Sequence, residues 1–189
     1  MSKRIALLSA VAFSAFAITA TIVAPVSAQD KMTSGEKTVM VGGAAMFPSK
    51  NIIQNAVNSK DHTTLVAAVK AAGLVDTLES KGPFTVFAPT NAAFAKLPPG
   101  TVDTLVKPEN KATLTKILTY HVVAGKLEAS DLTDGKKLKT VQGEELTVKR
   151  SGDTVMIVDS KGGSSTVTIP NVNQSNGVIH VVDTVLMPS

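Results

Sequence analysis

The chain has 189 residues, of which 43% are hydrophobic and 18% charged, and it contains neither cysteine nor tryptophan. The formal net charge is +4, and charges of both signs are interspersed, which argues against a nucleic-acid or polybasic membrane role. Without cysteine the chain has no thiol catalysis, no thiolate metal site and no disulfide, so packing and hydrogen bonds must stabilise it.

The first residues have the layout of a secretory signal. Lys3 and Arg4 precede an uncharged, mainly apolar run over 5–24, and small residues lead to Ala28. This pattern predicts a signal peptide over 1–28 that is cleaved after Ala28, and a secreted or periplasmic protein with no membrane span after cleavage. The apolar run is also long enough to stay as a membrane anchor, which is the alternative.

The part of the chain that follows divides into a lead-in and one domain. Residues 29–46 are polar and contain glycine, so we expect a flexible lead-in there. A single domain is expected over 47–188. Ser49 is a candidate cap for a first helix, and Asp61 is a candidate cap for a second helix.

The middle of the chain changes from helical to extended and back. Residues 84–88 (FTVFA) are rich in β-formers and predict a buried strand. Thr90 or Asn91 can cap the short helix that follows. Pro108 suits the first position of a later helix, on which apolar residues and His121 share one side.

From residue 138 onward the sequence is a run of short strands separated by glycine-containing turns. Residues 145–149 (ELTVK) alternate between polar and apolar side chains, as a half-exposed antiparallel strand does. Helices followed by hairpin-linked strands indicate an α+β fold.

Three segments resemble a known family. Residues 82–98 (GPFTVFAPTNAAFAKLP) resemble the first signature block of the fasciclin-like domain, and residues 176–188 (NGVIHVVDTVLMP) resemble the second. Between them, residues 118–123 (LTYHVV) resemble the family's Tyr-His segment. Order and spacing agree, and the resemblance covers nearly all of the predicted domain.

The resemblance implies a fold in which short helices pack on a wedge of two mainly antiparallel β-sheets. It also implies an extracellular or cell-surface protein associated with adhesion. Tyr120 and His121 match the Tyr-His segment that is linked to integrin binding in animal relatives, and they are the candidate binding residues. The family's Asp-Ile motif does not carry over, because Asp183 is followed by Thr184.

Few residues suggest catalysis or metal binding. His121 and His180 lie in apolar segments, so we expect hydrogen-bonded core histidines, whereas His62 follows a cap and is expected to be exposed. Asp183 is the one acidic residue in an apolar strand, where it could anchor a turn or pair with a cation. No cofactor or metal site is predicted.

Three functions follow from these patterns, in order of preference. The first is an exported, non-enzymatic binding or adhesion module that contacts a protein or polysaccharide at the cell surface, matrix or periplasm. The second is a carrier of a small apolar ligand or lipid, held between the helices and the wedge. The third is an extracytoplasmic hydrolase, which predicts a cleft containing a residue of strongly perturbed pKa.

Overall fold

The structure is a computed structural model that describes residues 37–189. The predicted signal peptide and the first part of the predicted lead-in lie outside the described residues. Within 37–189 there are short helices and strands in the following order: β1 (Val39–Val41), β2 (Ala44–Met46), α1 (Ile52–Ala56), α2 (Thr63–Ala72), α3 (Val75–Glu79), β3 (Phe84–Pro89), α4 (Asn91–Ala95), α5 (Thr101–Leu105), α6 (Lys111–Tyr120), β4 (Val122–Ala124), β5 (Lys137–Lys139), β6 (Glu145–Ser151), β7 (Thr154–Val158), β8 (Ser164–Gln174) and β9 (Gly177–Val182).

Seven of the strands are hydrogen-bonded to one another in the order β4-β3-β9-β8-β7-β6-β5. The pair β3–β9 is parallel, and the other pairs are antiparallel. All six residues of β9 are buried, and so are five of the six residues of β3. Buried parallel strands consist of continuous apolar runs rather than alternating ones, which explains the composition of both segments.

A bend in the long strand β8 divides this arrangement into two sheets. Its first residues pair with β7, and its last residues pair with β9. The register shifts on both sides of Ile169, and Asn171 adopts a φ of 58°. Such bulges bend a strand and increase its twist, so the two sheets diverge as a wedge. The predicted α+β class and the wedge of two mainly antiparallel sheets are confirmed.

The central strands separate two hydrophobic cores because successive side chains of a strand point to opposite faces. Val86 and Ala88 of β3 face the helices, where they join a helical core. Phe87 faces the inside of the wedge, where it joins a wedge core with Tyr120 and Leu186. The strands β3 and β9 are therefore the common wall of both cores.

The domain begins earlier than the sequence predicts. Strands β1 and β2 pair as an antiparallel hairpin within the segment that was predicted to be a flexible lead-in. Val41 and Met46 are each 3% exposed and belong to the helical core. The prediction of a flexible lead-in is wrong for this part, because residues 39–46 are all apolar or glycine and the hairpin buries Val41 and Met46 in the helical core.

Two predicted helix caps are also wrong. Helix α1 is capped by Asn51 instead of Ser49, and Asn51 forms a capping box with Gln54. The residues around Asp61 form a 3₁₀ turn, Lys60–His62, from which α2 continues without a side-chain cap on its preceding residue. Pro108 begins a second 3₁₀ turn, Pro108–Asn110, that leads into α6.

Candidate binding site

Tyr120, the first candidate binding residue, is the last residue of α6 and points into the wedge core. Its side chain is fully buried. The phenolic oxygen accepts a hydrogen bond of 2.9 Å from the backbone N–H of Ser160, in the turn after β7. The ring therefore fills the wedge while its hydroxyl holds a turn at the rim, a common use of buried tyrosine.

His121, the second candidate, follows Tyr120 and is 2% exposed. The Ile117 carbonyl can only accept, so His121 Nδ1 carries the proton and donates to it at 2.9 Å. Nε2 then accepts a hydrogen bond of 2.9 Å from the Leu186 N–H. Burial lowers the pKa of His121 to about 4, against the opposing effects of the Ile117 carbonyl and Asp159. The neutral ring joins α6 to the C-terminal segment.

The other two histidines are also buried. His180 of β9 stacks on Phe87 with ring centroids 5.7 Å apart, and its Nε2 lies 2.8 Å from the Leu127 carbonyl. His62 is 3% exposed, with Nδ1 2.9 Å from Ser59 Oγ. The prediction of a core His180 is confirmed. The prediction of an exposed His62 is wrong, because the 3₁₀ turn directs the ring inward. Burial lowers the pKa of both rings.

The polar residues of the first signature block act within the fold. Thr90 caps α4 by accepting from the Ala93 N–H at 3.2 Å, as predicted. Asn91 serves a different helix, because its Oδ1 accepts from the Thr64 N–H at 3.0 Å and its Nδ2 donates to the Lys60 carbonyl. One side chain therefore satisfies the start of α2 from 27 residues away in the chain.

The second signature block begins with a residue that joins three elements. Asn176 Oδ1 accepts from the Ile52 N–H at the start of α1, and its Nδ2 donates to the Leu78 and Ser80 carbonyls at the end of α3. Its own carbonyl accepts from the Phe84 N–H at the start of β3. The sequence places Asn176 at the start of the second signature block but does not indicate these contacts.

Gly177 next to it allows the close approach of two strands. A Cβ at this position would lie 2.0 Å from the Phe84 carbonyl oxygen, which is a backbone atom. The register of β3 on β9 therefore requires a residue without a side chain here. No signal in the sequence distinguished this glycine from one in an ordinary turn.

Asp183 anchors the segment that leaves β9. Its carboxylate accepts from the Thr166 N–H at 2.8 Å and from the Thr184 hydroxyl, and it pairs with Lys96 at 3.4 Å. Burial acts to raise the pKa of Asp183, but these partners together lower it. The predicted turn anchor and cation partner are both present.

The surface beside these residues carries an open groove of about 470 Å³, which we call the α4 groove. It runs between α4, the turn that follows it and the starts of α2 and α5. Its lining is formed by Thr64, Asn91, Phe94, Ala95, Leu97, Pro98, Pro99, Gly100 and Val102. Leu97 and Val102 are half-buried, whereas both prolines are exposed. The sequence analysis does not predict this groove.

Residues 37–189 contain neither a group of metal ligands nor a helix that could span a membrane. In that range no three or more His, Cys, Asp or Glu side chains are grouped as metal ligands would be. None of the helices in the same range has both the length and the apolar character needed to cross a bilayer.

Comparison with known proteins identifies the family. The sequence model of the Fasciclin domain matches residues 60–188. Protein sll1483 of Synechocystis is 47% identical over 164 residues, covering 87% of this chain and 88% of the relative. Immunogenic protein MPB70 of Mycobacterium bovis is 41% identical over 138 residues, covering 70% of this chain and 66% of the relative.

Another relative, at 40% identity over 153 residues, is the cell surface glycolipoprotein MPB83 of Mycobacterium bovis, with 78% of this chain and 64% of the relative covered. The fold is shared with the FAS1 domain pair of the insect cell adhesion molecule fasciclin I, with a TM-score of 0.67 and 19% identity. That match covers 75% of this chain and 52% of the other. The chain therefore belongs to the fasciclin domain family.

Proposed function

We propose that this chain is an exported, non-enzymatic binding module of the adhesion type, whose contact surface is the α4 groove. One observation carries the proposal: the polar residues of both signature blocks are bonded inside the fold, while the adjacent groove is open and lined mainly by apolar residues. The relatives support the setting, since one is named a cell surface glycolipoprotein and another belongs to a cell adhesion molecule.

The composition of the groove favours a protein over a polysaccharide as the partner. Most of its lining residues are apolar, among them Phe94, Leu97 and Val102, and its polar lining residues are Thr64 and Asn91. An apolar centre with a polar rim is the usual arrangement of protein–protein interfaces. The partner we expect is a cell-surface, matrix or periplasmic protein, and a polysaccharide is the alternative outcome of the test below.

The placement of the titratable groups supports a role without catalysis. An enzyme is expected to hold a group of perturbed pKa in an accessible cleft. The three histidines, all with lowered pKa values, are each less than 4% exposed, and none of them lines the α4 groove. The causes of their shifts are burial and neighbouring groups of the fold itself.

Direct contact of a partner with Tyr120 and His121 stays a prediction. Both side chains are buried, and the Leu186 N–H is bonded to His121. A partner could reach them only if the C-terminal segment moved away. We therefore assign the contact to the α4 groove. The role we assign to Tyr120 and His121 is structural, because their hydrogen bonds join α6 to the Ser160 turn and to Leu186.

An affinity pulldown from the native envelope and medium tests the proposal. The bait is the purified protein, with Val102→Asp as the groove variant and Met40→Asp as a control that places the same charge on a residue 60% exposed elsewhere. We expect the parent and the Met40 variant to retain a partner, and the Val102 variant to retain at least about tenfold less, since a charge in an apolar interface centre is strongly unfavourable.

Protease and glycosidase treatment of the fractions identifies the class of partner. Loss of retention after protease treatment supports a protein partner, whereas loss after glycosidase treatment alone overturns that choice. Equal retention by the parent and the Val102 variant would overturn the assignment of the contact to the α4 groove.

A further inference from the structure

Asn176 differs from every other asparagine of the chain, because it alone is followed by glycine. In an unfolded chain the backbone nitrogen of the next residue can attack the side-chain amide carbon of asparagine. Glycine permits this attack best, since it has no side chain beside its nitrogen and its backbone adopts many conformations. The sequence therefore makes Asn176 the asparagine of this chain that deamidates most readily.

The reaction replaces the amide of Asn176 with a carboxylate. The nitrogen of Gly177 forms a bond to Cγ of Asn176, and the bond between Cγ and Nδ2 breaks. Ammonia leaves with Nδ2 and with the proton that the Gly177 nitrogen gives up. Water then opens the resulting five-membered succinimide at one of its two carbonyl groups. The product is aspartate, or isoaspartate in which the main chain runs through the former side chain.

The folded protein holds the Asn176 side chain away from the Gly177 nitrogen. The residue is 7% exposed, and its amide makes hydrogen bonds to the Ile52 N–H and to the carbonyls of Leu78 and Ser80. The Asn176 amide would have to give up these hydrogen bonds before Cγ could turn toward its own main chain. The contacts with α1 and α3 therefore protect the amide from the attack.

The position of Gly177 protects the same reaction from the other side. Gly177 is buried at the start of β9, opposite Phe84 of β3 and opposite Gln174 of β8. Its nitrogen is thus fixed between two neighbouring strands and cannot move toward a new bond. Both reacting groups become free only when the β8–β9 turn separates from α1, α3 and β3, which together form much of the domain.

Neither product of the reaction fits the folded structure. Asn176 Nδ2 lies 2.6 Å from the Leu78 carbonyl oxygen and 2.9 Å from that of Ser80. An aspartate would place a buried, negatively charged oxygen against these two acceptors, which is strongly unfavourable. Isoaspartate would lengthen the main chain next to Gly177, where even a Cβ would lie 2.0 Å from the Phe84 carbonyl oxygen.

We propose that Asn176 is a deamidation site that the fold protects, and that its reaction in the unfolded chain prevents that chain from folding again. The site then sets how long an unfolded molecule can still recover. This property is independent of the α4 groove and goes beyond the proposed function.

The first test compares folded and unfolded protein in the same buffer at pH 8, without and with urea. Peptide mass spectrometry follows deamidation of Asn176, and dilution from urea followed by size-exclusion chromatography separates refolded from unfolded molecules. We expect deamidation to be at least about a hundredfold slower without urea, because few molecules are then unfolded. Deamidated Asn176 should occur only in the fraction that fails to refold, whereas Asn58, which precedes Ser59, should stay largely intact.

Two results of this test would overturn the proposal. Equal rates with and without urea would show that the fold gives no protection. Deamidated Asn176 in refolded molecules that melt like untreated protein would show that the product is tolerated.

A pair of substitutions produces the reaction product directly. Asn176→Asp should show no cooperative unfolding transition at pH 8, because the new carboxylate faces two carbonyl groups. Asn58→Asp is the matched control, since Asn58 is exposed and bonds only the Gln54 carbonyl, and it should fold like the parent. An Asn176→Asp protein that is as stable as the parent would contradict the proposal.

A second pair tests whether unfolding is what exposes the site. Asn91→Ala and Asn58→Ala are incubated with the parent in mild urea, where circular dichroism gives the unfolded fraction of each protein. The rate of deamidation at Asn176 should be proportional to that fraction, about tenfold higher for Asn91→Ala and unchanged for Asn58→Ala. Rates that do not follow the unfolded fraction would show that Asn176 reacts within the folded protein, and the proposal would be wrong.

Discussion

The two cores on either side of β3 and β9 are built differently. In the wedge core the side chains of Leu132, Leu146 and Ile157 are all completely buried. The helical core is assembled from short helices and a hairpin, and it contains a cavity of about 40 Å³ that Val69 lines. The α4 groove also lies on the helical side. Under the proposed function, the wedge maintains the fold and the helical side carries the surface that contacts a partner.

The largest expected difference between the cores comes from matched truncations. We expect Leu146→Ala in the wedge to lower the free energy of unfolding by about 4 kcal/mol, because a closed sheet core cannot collapse around the lost volume. Leu65→Ala in α2 should cost about 2–3 kcal/mol, since short helices beside an existing cavity can move. Chemical denaturation measures both values. Equal losses in the free energy of unfolding would show that the two cores do not differ in how they respond to a truncated side chain.

The next effect is a pH dependence that arises at the junction of the two cores. Burial lowers the pKa of His121 to about 4 in the folded protein, against 6.5 for a free histidine. The unfolded chain therefore binds the additional proton first, and stability falls as the pH decreases from about 6.5 to 4. The expected loss is about 3 kcal/mol.

His62 and His180 act in the same direction, because burial lowers their pKa values too. The control is His121→Gln, which should be less stable at pH 7 and lose markedly less stability over the same pH interval. Urea denaturation at pH 7 and pH 4 measures the dependence. A variant with the same pH slope as the parent would show that His121 does not contribute as described.

A smaller effect is expected where the first signature block supports the helical core. Asn91→Ala removes the acceptor of the Thr64 N–H and the donor to the Lys60 carbonyl, and should cost about 1–2 kcal/mol. Asn58→Ala, which loses one exposed bond to Gln54, should cost less than about 0.5 kcal/mol. Thermal unfolding of the two variants compares them. Retained stability in the Asn91 variant would contradict its assigned role.

The smallest effect has opposite signs in the two cores. Val69→Ile fills part of the cavity and should raise the free energy of unfolding by up to about 1 kcal/mol. Val148→Ile in the wedge core adds the same group where no space exists, and should lower it by about 1–3 kcal/mol. A loss of stability in both variants would indicate that the helical core is packed as tightly as the wedge.

Much of the fold could be predicted, because its signals are local. Residues 84–88 are apolar and β-forming without interruption, and Thr90 stands where a helix cap is needed, so both features could be recognised. The hairpin at residues 39–46 was missed, since the burial of Val41 and Met46, and the packing of Val39 and Ala44, depend on helices that follow later in the chain.

The site was harder to predict, because its contacts are distant in sequence. Asn176 bonds Ile52 across 124 residues, and nothing near either residue signals this contact. His62 was expected to be exposed because it follows a predicted cap, whereas a 3₁₀ turn directs it inward. The α4 groove depends on how two short helices and a proline turn diverge, which periodicity does not encode.

The central claim is that the helical side contacts the partner. The most direct test measures how much of the parent, Leu97→Asp and Tyr120→Phe proteins is retained on the native envelope fraction. We predict that Leu97→Asp loses retention while it stays folded at the assay temperature, although it melts at a lower temperature than the parent because Leu97 packs on the helical core. Tyr120→Phe, which loses the hydrogen bonds between its hydroxyl and Ser160, should melt about 3 °C lower and keep its retention. Loss of retention by Tyr120→Phe with Leu97→Asp still bound would contradict this account.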